Sequence, residues 1–148
     1  MNRRLKYAAV VLAIGFAAAQ LIRPDRTNPA TDAGRTIRAQ LGTADKLSAV
    51  LDRSCRDCHS NATVWPWYTR VAPVSWAMKY GVTAGRKAVN FSEWAGYEPQ
   101  QQRMLLAQSC QDASSGKMPG SIYVSLHPEA RLSKEDVDTI CAAAGEKP

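Results

Sequence analysis

Two histidines, four cysteines and two phenylalanines are all that this 148-residue chain holds of those residue types. No alternation of apolar and polar residues marks a strand, and no internal repeat recurs. Nucleophile–base pairs, phosphate-cradling glycine loops and carboxylate dyads are also missing, so hydrolysis and phosphoryl transfer have no motif to rest on. Acidic residues are outnumbered, 13 against 19 basic ones, for a formal net charge of +6. That excess does not describe a nucleic-acid face. Residues 1–26 carry Arg3, Arg4, Lys6, Arg23 and Arg26 against Asp25, a balance of +4, whereas the remaining 14 basic and 12 acidic residues leave only +2.

What is present begins with that basic end. Met1 to Lys6 precedes an uncharged apolar run, YAAVVLAIGFAAAQLI, over residues 7–22. The run is short for a spanning helix, which needs about 20 residues. It is near the upper limit of a signal-peptide core, and Ala17-Ala18-Ala19 offers a small-residue cleavage site. Residues 1–23 thus read as a membrane anchor or a signal segment. Either way the basic end stays in the cytoplasm and the rest crosses the membrane. Residues 24–43 read as a linker, broken by Pro24, Asp25, Asn28, Pro29, Asp32 and Gly34, with room for a short helix around Arg35 to Leu41. Residues 44–148 are long enough for one domain.

The domain is organised around Cys55-Arg56-Asp57-Cys58-His59. Two thiols three apart with histidine next is the attachment pattern of c-type haem. On a helical turn, residues i and i+3 share a face, so both sulfurs reach one porphyrin, and the adjacent imidazole is delivered as an axial ligand. The rival readings are weaker. A zinc half-site would need Cys110 and Cys141, which are far apart and form no second CxxC. A thioredoxin-like pair expects a βαβ pattern, which is missing.

Helical signals surround the motif. Thr43 with Asp45 opens a helix whose face reads Leu47, Val50, Leu51, Ser54, Cys55 and Cys58. Ser60 to Val74 is aromatic, and Trp65, Trp67 and Tyr68 are candidates for the wall of a haem pocket or for simple core. Asn61-Ala62-Thr63 fits a glycosylation sequon and reads as accidental. Ser75 caps a helix to about Val89, with Ala77, Gly81, Ala84 and Gly85 placing small residues on one side. Pro99 opens a third helix that carries Leu106, Cys110 and Ala113 on one face. Ser133 and Asp136 form an acidic capping box for the last helix, and Gly145 stops it.

Three candidate roles remain. Met118 sits between Gly116 and Gly120, held extended by Pro119, which suits a thioether axial ligand; the competing role is core filling. His127, before Pro128, is either an alternative ligand or a residue that supports the pocket from behind. Cys110 and Cys141 lie on apolar helix faces and are either two small hydrophobes or, in an oxidising compartment, a disulfide.

From Cys55 on, the chain resembles a bacterial family of haem-binding domains, single-haem modules similar to c-type cytochromes. The residues that carry the resemblance are CRDCHSNATVWPWYTRVAPVSW (55–76), GRKAVNFSEW (85–94), GKMP (116–119) and HPEARLS (127–133), about two thirds of the chain. The resemblance implies an all-α, cytochrome c-like, haem-wrapping fold. It implies one haem c held by Cys55 and Cys58, with His59 as proximal ligand and Met118 in the family's MP element. Ile22-Arg23-Pro24 with Asn28-Pro29 resembles the linker after an uncleaved anchor, which favours anchor over signal. Cys141 stands where a large aromatic residue is expected, and with Cys110 suggests a disulfide in place of aromatic packing.

The expected function is electron transfer with His/Met-ligated iron, an electron carrier rather than an enzyme, serving redox partner proteins at the membrane and no nucleic acid. The alternative is a ligand sensor or a peroxidase-like enzyme with a displaceable sixth ligand.

Overall fold

The computed structural model describes residues 2–42 and 45–145. These residues form eight helices: α1 Arg3–Ala19, α2 Ile37–Leu41, α3 Asp45–Ser54, α4 Arg56–His59, α5 Val74–Ala88, α6 Pro99–Ser114, α7 Ser121–Leu126 and α8 Lys134–Ala144. Single 3-10 turns lie at Ala33–Arg35, Trp67–Arg70, Phe91–Gly96 and Pro128–Ala130. No strand occurs among the described residues, so the all-α class holds.

Local chemistry sets most boundaries. Ser133 accepts a hydrogen bond from the Asp136 amide while the Asp136 carboxylate accepts from the Ser133 amide, and Gly145 closes α8 with φ 73°, a left-handed value that suits glycine. Pro99 occupies the first position of α6, where a missing N–H costs nothing. Thr43, the expected cap of α3, lies outside the described residues. Ser75 is not the cap of α5: the helix starts one residue earlier, at Val74 behind Pro73, and Ser75 is buried in its first turn.

The face expected to run unbroken from Leu47 to Cys58 is divided. Leu47, Val50, Leu51 and Ser54 are buried along α3, but the helix breaks at Cys55 (φ −126°, ψ −31°) before α4 resumes. Gly85 explains the tight seat of α4. A Cβ there would stand 2.4 Å from the Cys58 carbonyl oxygen, so α5 approaches the α4 backbone only because position 85 has no side chain.

The core lies where α6, α8 and α3 meet. Leu47, Val50, Leu51, Leu106, Ala113 and Ile140 pack with Phe91 and with Trp94, which is 0% exposed. A disulfide joins Cys110 on α6 to Cys141 on α8 inside this cluster.

The N-terminal segment departs from its expected form in two ways. The apolar run does not continue helical to Ile22; α1 ends at Ala19, and no helix among the described residues is long and apolar enough to cross a membrane. Its 17 residues span about 25 Å, short of a hydrocarbon core of about 30 Å. The linker is also no loose tether. The Asn28 side chain donates to the Thr63 carbonyl (2.9 Å) and accepts from Trp65 Nε1 (3.3 Å) and from Arg86 (2.8 Å). Asn61 Nδ2 donates to the Ala30 carbonyl (3.1 Å). Breaker residues stop helices, but their side chains find partners on the domain surface.

Candidate functional site

A cavity opens where α3, α4, the 3-10 turn at Phe91 and the face of α6 converge, enclosing about 880 Å³ of atom-free space that is partly open to solvent. Leu51, Phe91, Leu105, Leu132 and Ile140 supply apolar wall; Ser54, Asp57, Asp112 and Tyr123 supply polar groups. Cys55, Cys58, His59 and Met118 all line this one space.

Each of the four is positioned by its neighbours. Cys55 and Cys58 carry free thiols. Burial, with Cys58 close by, pushes the Cys55 thiol up to about 12, and burial followed by the Asp57 charge raises Cys58 as well. Among the described residues no three His, Cys, Asp or Glu side chains converge to hold a metal ion, and Cys110 and Cys141 are engaged with each other. The zinc half-site reading therefore has no partners to complete it.

His59 Nδ1 lies 3.2 Å from the Val89 carbonyl. A carbonyl only accepts, so Nδ1 carries the proton and Nε2 is left with a lone pair. Burial holds the His59 pKa below its ordinary value, against the opposing pull of the Val89 carbonyl. The neutral ring, tilted against Phe91 at 6.0 Å, is thus set up as a ligand. Met118 sits in the loop after α6, its amide bonded to the Asp112 carbonyl at 3.0 Å, and its side chain is 43% exposed at the cavity mouth.

These features fit a covalently held haem. The walls are apolar, two thiols and one imidazole come from a single turn, and a thioether comes from a second segment. The buried Ser54 hydroxyl on the same wall has no hydrogen-bond partner in the protein; an unsatisfied buried polar atom marks space shaped for another group.

Other expected site residues lie elsewhere. None of Trp65, Trp67 and Tyr68 lines the cavity. Trp65 turns to Asn28 in the linker, and Trp67 is 77% exposed. The aromatic part of the wall is made by Phe91 and Tyr123 instead, and Tyr68 turns to His127. His127 does not line the cavity either. Its Nδ1 meets Glu129 at 3.1 Å, its Nε2 is hydrogen-bonded with the Tyr68 hydroxyl, and its ring stacks on Tyr123 at 4.5 Å. With both nitrogens engaged it supports the wall rather than offering a ligand. Asn61 and Thr63 are buried, which removes the sequon from any modifying enzyme.

Tyr123 and Asp57 are the site residues that sequence reading passed over. The Tyr123 hydroxyl donates to Asp57 Oδ2 at 2.8 Å, and the Val64 amide donates to Asp57 Oδ1 at 3.0 Å. Burial, then this bond to Asp57, keeps the phenol firmly protonated. The only prior signal is that Asp57 stands between the two cysteines.

Against known proteins, the family model described as a haem-binding domain matches residues 14–146. No curated protein and no solved structure matches the chain.

Proposed function

The chain belongs to the haem-binding domain family, and from that premise we propose that it is a single-haem c-type electron carrier working at the periplasmic side of the inner membrane. The observation that carries this reading is the convergence of Cys55, Cys58, His59 and Met118 on one apolar cavity. When bound, the haem supplies a one-electron iron couple. The chain does the rest. Cys55 and Cys58 hold the group covalently. His59 binds through Nε2, with Val89 fixing its tautomer. Met118, which lines the same cavity, would supply a thioether to the iron, and such a ligand raises the reduction potential. Leu51, Phe91, Leu105 and Ile140 exclude water. Redox partner proteins then exchange electrons at the open mouth. Residues 1–23 direct export and, uncleaved, hold the protein at the membrane; the apolar side chains of α1 support this, since none packs into the core.

One observation favours the alternative of a sensor or peroxidase-like protein: Met118 is 43% exposed in a loop, and a thioether open to solvent is accessible to displacement by another ligand. The absorption spectrum of the protein matured with haem, compared with that of Met118→Ala, separates the two. A ferric sulfur–iron charge-transfer band that vanishes in Met118→Ala is expected for the carrier. An identical spectrum in the variant, or fast cyanide binding to the native protein, would favour the alternative. Absence of denaturant-resistant haem would sink both.

A further inference from the structure

Where α1 meets the domain, the chain builds a second concave site whose chemistry is anionic recognition. Gln20 ends α1 and clamps the Ala72 backbone on both sides: its amide nitrogen donates to the Ala72 carbonyl (3.4 Å), and its carbonyl oxygen accepts from the Ala72 amide (2.9 Å). Trp76 Nε1 donates to the Ile22 carbonyl at 2.9 Å. Between these clamps lies a hollow lined by Arg23, Arg26 and Arg70, with Thr69 and Ser75 beside them. Among the described residues, the guanidiniums of Arg26 and Arg70 have no hydrogen-bond or ion-pair partner, and Arg23 bonds only the Gln20 carbonyl. The one nearby carboxylate, Asp25, is taken up by the Thr27 amide (2.9 Å) and hydroxyl (2.8 Å).

Three arginines line one hollow, and planar guanidinium forks suit phosphate oxygens. The surroundings say which phosphate. The hollow sits at the end of an apolar helix that nothing covers. Next to it Trp76, which lends its indole N–H to the clamp, is 37% exposed, and Tyr80, one turn further along α5, is 77% exposed. Aromatic rings beside arginines at the end of an apolar helix are the composition of a bilayer headgroup layer. We propose that Arg23, Arg26 and Arg70 bind the phosphate of one anionic phospholipid, seating the domain on the membrane surface in a fixed orientation. This goes beyond the haem site and rests on the membrane reading only for bringing a bilayer within reach.

The test uses the full haem-loaded chain in neutral detergent. It is titrated separately with phosphatidylglycerol, phosphatidylcholine and inorganic phosphate, with bound adducts read by native mass spectrometry. Each arginine at such a surface is worth roughly a fivefold factor. Arg23→Gln/Arg26→Gln/Arg70→Gln is therefore expected to weaken phosphatidylglycerol binding about 100-fold, leave phosphatidylcholine unchanged and keep the haem spectrum. Equal binding by variant and native protein would overturn the proposal. So would inorganic phosphate binding as tightly as the lipid, which would make the hollow a site for free phosphate. Flotation with neutral vesicles, which depends on α1, tests the membrane reading separately.

Discussion

Gly85 shows how much rests on single positions. Its missing side chain lets α5 touch the backbone of the CxxCH turn, and a Cβ would lie 2.4 Å from one Cys58 atom and 2.9 Å from another. Both are backbone atoms, which cannot swing aside. Gly85→Ala is expected to cost about 1–3 kcal/mol, as overpacking does, and to lower haem loading; denaturant unfolding and haem content check it. His59 gives a prediction in pH. Burial lowers its folded pKa below the ordinary 6.5, so in the haem-free chain the unfolded state takes up the proton first. Stability is full above about 6.5 and is lost as pH falls from there through the depressed folded value. Urea titrations from pH 8 to pH 5 read this, and His59→Gln is expected to flatten the slope. At this scale the sequence was informative wherever chemistry is local: Cys55, Cys58 and His59 stand together in the chain, and Pro119 marks Met118. It was silent on Tyr123, whose partners Asp57 and His127 come from other segments, and it misplaced Trp65 and Trp67, because aromatic content does not say which way a turn faces.

Elements were legible where caps are local, as in α6 and α8. The break between α3 and α4 was not, since periodicity carries straight through Cys55, whose backbone leaves the helical region. The 3-10 turn at Phe91–Gly96 was also invisible as an element, although it supplies Trp94 to the core and Phe91 to the cavity. The α6–α8 pair rests on the Cys110–Cys141 bridge, 31 residues apart. A loop of that length corresponds to about 3–4 kcal/mol in the chain-entropy account. Cys110→Ser/Cys141→Ser is expected to lose about that much by chemical denaturation. It should also loosen the cavity, because Ala113 and Ile140 on the same two helices line it. An unchanged unfolding midpoint would mean that packing alone sets the helix pair.

For the whole molecule, the greatest surprise is residues 20–30. Their prolines and polar residues read as a tether, yet Gln20, Ile22, Asn28 and Ala30 are bonded to the domain. Composition reports the absence of helix; it does not report partners contributed from 40 or more residues away, such as Ala72 to Gln20. Asn28→Ala removes acceptors or donors for Thr63, Trp65 and Arg86 together. It is expected to cost about 1–2 kcal/mol and to speed tryptic cleavage after Arg26 several-fold, with the haem spectrum unchanged. Equal cleavage rates would show that Asn28 does not hold residues 20–30 against the domain.

The sulfur arrangement has a consequence for how the chain must be made. Four cysteines allow three pairings, and here one pair is bridged while the other stays open. Cys55 packs against the same cluster that contains Cys110 and Cys141, so wrong partners meet whenever that cluster collapses early. On the proposed haem attachment, biogenesis has to oxidise Cys110 and Cys141 and spare Cys55 and Cys58 for the haem. A cell that supplies only an oxidant, or only a reductant, will accumulate chains that are complete in sequence and wrong in connectivity.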